Sequence, residues 1–175
     1  MLLSCKKLLK IGSENKKPIY MKPTLLVMGI DLGTSGVRVA LINENKEVVH
    51  TEQRSYPQGL SICKDWEQCT TELLQNIPTH LKKCLRACAV DGTSGTLVAC
   101  EVNGNPLGKA LPYHVSCPEQ QNTLSKILPD GGNASSANSS LARALRLQKQ
   151  FQKPLLFRHQ ADWVMGWLLD NWNWG

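Results

Sequence analysis

The sequence lacks several features that would assign it to a common class of protein. No hydrophobic run reaches the roughly 18 residues of a membrane-spanning helix, and residues 163–169 are flanked by Asp162 and Asp170. Residues 1–10 lack the continuous apolar core of a secretory signal. The pattern Gly-x-x-x-x-Gly-Lys-Ser/Thr is also missing, which excludes a P-loop. These absences favour a soluble globular protein with no membrane partner.

The cysteines do not form a metal-binding pattern. There are seven, and none forms a Cys-x-x-Cys pair. Cys84 and Cys88 are four residues apart in a predicted helix, but the four histidines do not cluster with them. We therefore predict reduced, mostly buried thiols.

The positive charge is concentrated at the N-terminus. Six of the 20 Lys and Arg residues lie within residues 1–22, against one of the 14 acidic residues, Glu14. Because a nucleic-acid-binding face needs basic residues on the folded body, we predict no nucleic-acid partner. We expect residues 1–22 to be a disordered basic leader, with Met21 as an alternative start, and residues 23–175 to form one partial domain. The leader favours a cytoplasmic location, with the chloroplast as the alternative.

The hydrophobic pattern predicts a sheet that begins with three antiparallel strands. Residues 24–30 form a nearly continuous apolar run, which is typical of a central strand buried on both faces. Residues 37–42 and 47–54 follow as two more strands, joined by the polar turn 43–46. A helical stripe follows, with Asp65 as the expected N-cap of the helix and a break at Pro78. A fourth strand is predicted at residues 87–90. The intervening helix predicts that this strand runs parallel to the first.

The second half of the chain predicts further strands and helices. Residues 96–106 form a strand and turn, residues 129–140 a loop, and residues 139–151 and 159–170 two helices. The last helix carries Trp163, Val164, Trp167 and Leu168 on one face, which favours a core stripe over ligand stacking. We expect Asp162 to cap this helix, and the stripe to be left exposed in a chain of this length, which would promote aggregation.

The stretch Gly29-Ile-Asp-Leu-Gly-Thr-Ser-Gly36 has the chemistry of a phosphate-binding turn. Gly33 and Gly36 allow a close approach to a phosphate, and Thr34 and Ser35 add hydroxyl donors. Asp31, at the end of a strand, could hold Mg²⁺ through water. The alternative is an ordinary tight hairpin turn. A second turn, Asp91-Gly-Thr-Ser-Gly95, follows the fourth strand, and the pair of turns favours phosphate chemistry.

With this order of elements, the chain resembles an α/β ribonuclease-H-like domain, the repeating unit of actin-like ATPases. Residues 24–175 resemble the N-terminal part of the FGGY carbohydrate kinases, and most nearly the ribulokinase/xylulokinase-like branch of photosynthetic organisms. The resemblance rests on residues 29–38, Asp65-Trp-Glu-Gln68, residues 89–96 and residues 159–169. The first segment is shared by actin-like ATPases in general, and the combination is specific to the kinases.

This resemblance implies transfer of the ATP γ-phosphate to a pentulose hydroxyl, with Mg²⁺ and a small sugar as partners. It implies phosphate and metal contacts at Asp31, Gly33, Thr34, Ser35 and Gly36. It also implies sugar contacts at Thr93 and Ser94. Asp91 has two interpretations, as the residue that organises this second turn or as a structural cap, and Arg38 is a weaker candidate for a phosphate contact.

Two features depart from the family pattern. Tyr113-His-Val-Ser-Cys117 lacks the acidic residue and Arg that relatives often carry after this aromatic, so His114 is the candidate sugar contact there, with a plain surface or core histidine as the alternative. The catalytic base of the family is an Asp expected downstream of Gly175, so no catalytic residue is assigned and we expect little activity from these residues alone. The other functions considered are a noncatalytic sugar- or phosphate-binding module and an actin-like chaperone or cytoskeletal ATPase.

Overall fold

The computed structural model describes residues 25–128 and 131–173. The leader assigned to residues 1–22, the alternative start at Met21 and the first residue of the predicted first strand, Thr24, lie outside these ranges. Within them, no helix is long and apolar enough to cross a membrane.

The main sheet has four strands in the order β3-β2-β1-β4. Strands β1 (Leu26–Leu32), β2 (Gly36–Asn43) and β3 (Val48–Ser55) are antiparallel neighbours, and β4 (Leu85–Gly92) pairs with β1 in parallel. The predicted meander and its parallel fourth strand are confirmed. A parallel neighbour requires a crossover connection, which helices α1 (Cys63–Asn76) and α2 (Thr79–Lys82) provide.

One face of the sheet is buried and the other is open. Along β1 the burial alternates, so that Met28 and Ile30 face the core while Val27 and Asp31 are exposed. The prediction that this strand is buried on both faces was wrong. Its apolar run shows that both faces are hydrophobic, but the described helices that pack on the sheet, α1 among them, cover one face only.

Helix α1 starts earlier than its sequence suggested. It begins at Cys63, and its N-cap position is Ile62, so Asp65 lies inside the first turn and is not the cap. The buried Asp65 carboxylate instead accepts hydrogen bonds from the backbone N–H groups of Gln58 (2.6 Å) and Gly59 (3.1 Å). It therefore fixes the loop before the helix. The helix ends at Asn76, just ahead of the predicted break at Pro78.

The second half of the chain forms a small sheet and three helices. Strand β5 (Leu97–Cys100) pairs antiparallel with β6 (Leu156–His159), a strand that the sequence did not predict. Helices α3 (Gln121–Ile127) and α4 (Ser140–Phe151) lie between them, and α5 (Gln160–Leu169) follows. The Ser139 hydroxyl caps α4 by accepting from the N–H of Ala142 at 3.0 Å. His159 is the N-cap residue of α5, so Asp162 is not its cap.

The aromatic stripe of α5 packs into the main core. Trp163 meets Trp66 of α1 edge-to-face at 5.8 Å and Trp172 at 5.9 Å. Trp163, Val164 and Leu168 are buried. The expected core face is present, but the expected exposure of the stripe was wrong, because α1 covers it.

No cysteine of the described residues forms a disulfide. Cys84 follows α2 and Cys88 lies in β4, so the prediction that one helix carries both was wrong. Within residues 25–128 and 131–173, no three His, Cys, Asp or Glu side chains are grouped to hold a metal ion.

Candidate phosphate and sugar site

The first turn, residues 33–35, joins β1 to β2 by a short hydrogen-bonded connection. The Gly33 N–H donates to the Gly36 carbonyl at 2.9 Å, so this N–H is used to close the turn. Neither glycine has a positive φ. Gly36 is required for a different reason, because a Cβ there would overlap the Arg54 carbonyl oxygen and lie 2.9 Å from Ser55 Cα. Close contact between β2 and β3 therefore shapes this turn.

The donors left free in this turn belong to Thr34 and Ser35. Both residues are exposed, and among the described residues their N–H groups and hydroxyls have no hydrogen-bond partner. They border a cavity of about 380 Å³ lined by Asp31, residues 33–38 and residues 53–55. Small residues with unpaired donors at the rim of a cavity form a surface that a phosphate group can approach closely.

Asp31 and Arg38 lie side by side at this cavity. Arg38 Nη1 is 3.5 Å from Asp31 Oδ2, and Arg38 Nε donates to Gln53 Oε1 at 3.3 Å. The Asp31 and Arg38 side chains are 56% and 69% exposed, respectively. An exposed pair of this kind contributes little to stability, so both charges remain open to a ligand.

The donor set around Asp31 suits Mg²⁺. This ion keeps several waters and takes one or two carboxylates together with substrate phosphates. Asp31 and Asp91 are paired across β1 and β4. Both line a second cavity, of about 360 Å³, on the open face of the sheet. Their carboxylates could therefore hold a hydrated Mg²⁺ beside a phosphate.

The second turn lies directly beside the first because β1 and β4 are parallel. The Thr93 N–H donates to the Leu32 carbonyl at 3.2 Å, which ties the two turns together at the carboxyl ends of their strands. Asp91 Oδ1 accepts from the Gly92 N–H at 2.8 Å, as expected for a residue that organises the turn. Gly95 has φ of +88°, a conformation that favours glycine.

The two sugar candidates of this second turn differ in their surroundings. Ser94 is exposed. Thr93 is partly buried, and its Oγ1 lies 2.6 Å from Thr96 Oγ1 and 2.7 Å from Gln160 Oε1. Ser94 therefore has a free hydroxyl, whereas the Thr93 hydroxyl is held by its neighbours.

His114 lies apart from both cavities, on a loop that follows β5. It is exposed and packs edge-to-face on Tyr113 at 5.3 Å. This loop reaches the second turn through Arg143, which is only 2% exposed and donates from Nη1 to the carbonyls of Tyr113 (2.9 Å) and Val115 (3.0 Å). A Cβ on Gly95 would lie 2.9 Å from Arg143 Nη2. Among the described residues His114 itself has no hydrogen bond to the second turn, but the N–H of its neighbour Tyr113 donates to Thr96 Oγ1, directly after that turn, at 3.2 Å.

The comparison with known families agrees with this arrangement of two turns. Residues 26–141 match the N-terminal domain of the FGGY family of carbohydrate kinases. The chain belongs to this family. The matched region covers well over half of the chain and contains Asp31 to Gly36, the second turn and His114.

Solved xylulose, glycerol and gluconate kinases share the fold. The xylulose kinase from Bifidobacterium adolescentis matches with a TM-score of 0.68 at 18% identity, covering 82% of this chain and 34% of that one. The Plasmodium falciparum glycerol kinase with ADP gives a TM-score of 0.64 at 14% identity, covering 82% and 34%. Gluconate kinase from Lactobacillus acidophilus gives 0.61 at 15%, covering 81% and 33%. The chain thus spans about a third of the length of these kinases.

Sequence reasoning missed three buried polar residues of this FGGY chain: Tyr56, Arg143 and Gln160. Arg143 and Gln160 lie within the helices predicted at residues 139–151 and 159–170, whereas Tyr56 follows the strand predicted at residues 47–54. Of the three, Gln160 could have been noticed from the sequence, because it belongs to residues 159–169, one of the segments on which the family resemblance rests. Their contacts join residues far apart in the sequence, so spacing alone could not identify them.

An ion pair anchors the loop that carries His114 to α4. Arg146 donates from Nε and Nη2 to the two carboxylate oxygens of Glu119, at 2.6 and 2.7 Å. These hydrogen bonds lower the pKa of Glu119 from 4.5 to about 2. Since the folded pKa lies below the unfolded one, the pair stabilises the fold above pH 4.5 and loses this contribution as the pH falls towards 2.

We expect Arg146→Gln to return the pKa of Glu119 towards 4.5, because the bonds that favour its charged form are removed. An NMR pH titration of the Glu119 side-chain carboxyl measures this. Lys153→Gln, which removes the 3.5 Å partner of Glu101, is the control and should leave Glu119 unchanged. A Glu119 pKa that stays near 2 in Arg146→Gln would contradict the assignment.

Proposed function

We propose that this chain is the phosphate- and sugar-binding part of an FGGY kinase that transfers the γ-phosphoryl group of ATP to a hydroxyl of ribulose or xylulose. The observation that carries the proposal is the parallel pairing of β1 and β4, which sets Asp31 beside Asp91 and the two turns side by side. Phosphoryl transfer depends mainly on positioning and on electrostatic stabilisation. Phosphoryl transfer therefore requires a phosphate site and a sugar site that lie next to each other.

The chain's own residues divide this task between the two turns. The Thr34 and Ser35 donors bind phosphate oxygens, and the Arg38 guanidinium at the same cavity balances their charge. Asp31 and the Asp91 carboxylate would hold Mg²⁺, which neutralises phosphate charge when bound. Thr93, Ser94 and the loop at His114 orient the sugar. The base that accepts the hydroxyl proton is not assigned among these residues, whose proposed roles are to bind and orient the ligands.

The 14–18% identities to solved kinases support the fold alone. The pentulose assignment rests instead on the family resemblance carried by residues 29–38, 65–68, 89–96 and 159–169. Titrating the chain with D-ribulose, D-xylulose, glycerol and gluconate, each followed by NMR, tests it. Tighter binding of glycerol or gluconate than of either pentulose would contradict the sugar class.

Asp31→Asn is expected to weaken Mg·ATP binding about tenfold, a loss of about 1.4 kcal/mol. The free energy of unfolding should change by less than about 0.5 kcal/mol, because the side chain is exposed and its ion pair is weak. Isothermal titration of the 175-residue chain with Mg·ATP measures the first effect and urea denaturation the second.

The matched control is Asp170→Asn. It removes the same charge at the C-cap of α5, where φ is +52°, a conformation that Asn tolerates. Binding within twofold of the wild type is expected. Equal binding by both variants would contradict the role of Asp31. Binding of a pentulose by a protein that does not bind Mg·ATP would favour a noncatalytic sugar-binding module, and sugar phosphorylation within tenfold of a full-length relative would overturn the expectation of low turnover.

A further inference from the structure

Gln160 occupies an unusual position for a glutamine. It is the first residue of α5 and is completely buried, at 0% exposure. A buried amide is costly unless its polar atoms have hydrogen-bond partners. Among the described residues, the hydrogen-bond partners of Gln160 are Thr93 of the second turn and Tyr56, the residue directly after β3.

The orientation of this amide is fixed by the backbone. The Thr93 N–H can only donate, and it lies 3.0 Å from Gln160 Oε1, so the amide oxygen must face Thr93. The amide nitrogen then faces the opposite way, and Nε2 donates to Tyr56 Oη at 3.1 Å.

The same constraint sets the direction of the neighbouring hydroxyls. The Thr93 hydroxyl donates its single proton to Gln160 Oε1 at 2.7 Å, since the amide oxygen can only accept. Thr96 Oγ1, at 2.6 Å, therefore donates to Thr93 Oγ1, and it accepts in turn from the Tyr113 N–H at 3.2 Å. What remains on the Thr93 hydroxyl is one acceptor position.

The other end of the network reaches the phosphate turn. The Tyr56 N–H donates to the Ser35 carbonyl at 2.9 Å. Tyr56 thus contacts the first turn through its backbone and Gln160 through its side chain. Gln160 in turn contacts the second turn through two bonds to Thr93. A continuous set of hydrogen bonds connects Ser35 with Tyr113.

We propose that Gln160 is a positioning residue that aligns the sugar turn with the phosphate turn and orients the Thr93 hydroxyl to accept a hydrogen bond from a sugar hydroxyl. This inference rests on the proposed function. In phosphoryl transfer, reacting groups must be held in register, and small displacements by remote residues reduce the rate strongly. The Thr93 N–H is shared between Gln160 Oε1 and the Leu32 carbonyl, so the network adds a buried side-chain support to the backbone bond that joins the two turns.

The test measures amide hydrogen exchange by NMR without any ligand, so that it stands independently of the kinase assignment. In Gln160→Met, which keeps the length but removes the polar atoms, the Thr93 N–H retains only its 3.2 Å bond to the Leu32 carbonyl, and its exchange should rise at least tenfold because the second turn is less firmly held. Gln75→Met, an exposed position in α1, is the control and should stay within twofold. Tyr56→Phe should also change exchange at Thr93, with which Tyr56 shares no hydrogen bond among the described residues, and this effect should vanish in the Gln160→Met background.

A second measurement uses D-xylulose and Mg·ATP as probes of the same proteins. We expect Gln160→Met to weaken xylulose binding at least tenfold and to abolish any effect of Mg·ATP on xylulose affinity. Thr93 exchange within twofold of the wild type in both Gln160→Met and Tyr56→Phe would overturn the inference. If Gln160→Met does not fold, Tyr56→Phe alone decides by the same criterion. A wild-type protein that binds neither probe but shows the exchange coupling would overturn the proposed function and leave the network supported.

Discussion

Replacing Gly36 by alanine is expected to lower the free energy of unfolding by about 3 kcal/mol, at the upper end of the usual cost of overpacking. The added Cβ would overlap the Arg54 carbonyl oxygen and lie 2.9 Å from the Arg54 carbonyl carbon and Ser55 Cα. These are backbone atoms of the neighbouring strand, which cannot rotate away as a side chain could. The β2–β3 pair would have to separate at the point where the phosphate turn begins.

Thermal unfolding followed by circular dichroism measures this loss as a fall in Tm of roughly 6–12 °C for a chain of this size. Titration with Mg·ATP should show weaker binding as well, because residues 53–55 and the turn line the same cavity. The matched control is Gly29→Ala on β1, where a Cβ meets nothing within 4 Å. It should leave Tm unchanged or slightly raised, since Gly weakens a strand interior. Equal Tm values for the two variants would contradict the packing argument.

Trp66→Ala is expected to cost more, about 4 kcal/mol, the usual loss for truncating a buried Trp. Trp66 is fully buried and contacts Trp163 edge-to-face at 5.8 Å, so it joins α1 to α5. Its indole Nε1 also donates to the Leu60 carbonyl at 3.0 Å. Truncation removes the aromatic contact, leaves a cavity and deprives a buried carbonyl of its partner.

Urea denaturation monitored by fluorescence and circular dichroism gives the free energy of unfolding. Trp66→Phe should fall between the wild type and Trp66→Ala, because it retains a ring in the core but loses the indole donor. Val102→Ala, at a side chain that is 79% exposed, should change the free energy by less than about 0.5 kcal/mol. A Trp66→Ala loss below about 1 kcal/mol would show that α5 is not held through this contact.

These two variants separate the roles of neighbouring parts of the fold. Trp66 stabilises the buried core beneath the sheet. The phosphate turn, in contrast, is exposed and has the free Thr34 and Ser35 donors. Gly36 affects both stability and the phosphate turn, because it directly follows this turn and is the first residue of β2. We therefore expect Gly36→Ala to reduce stability and ligand binding together, whereas Trp66→Phe reduces stability with Mg·ATP affinity retained in the folded fraction.

The sequence by itself determined the three-strand meander, the parallel direction of β4 and the two glycine-containing turns. These features follow from local chemistry, because alternating apolar residues, turn residues and a helical stripe act within a few neighbours along the chain. The meander and parallel strand it predicted are those of the sheet. The residues of both turns, from Asp31 to Gly36 and from Asp91 to Gly95, were also identified in this way.

The tertiary structure alone decided which face of β1 is buried, that β5 pairs with β6, and that Asp65 fixes a loop. Each outcome depends on contacts between distant segments, whose energies do not appear in local patterns. Gln160 is the extreme case, since its hydrogen-bond partners Thr93 and Tyr56 are 67 and 104 residues away. A buried amide must have hydrogen-bond partners. For Gln160 these partners come from distant parts of the sequence, so only the folded chain brings them together.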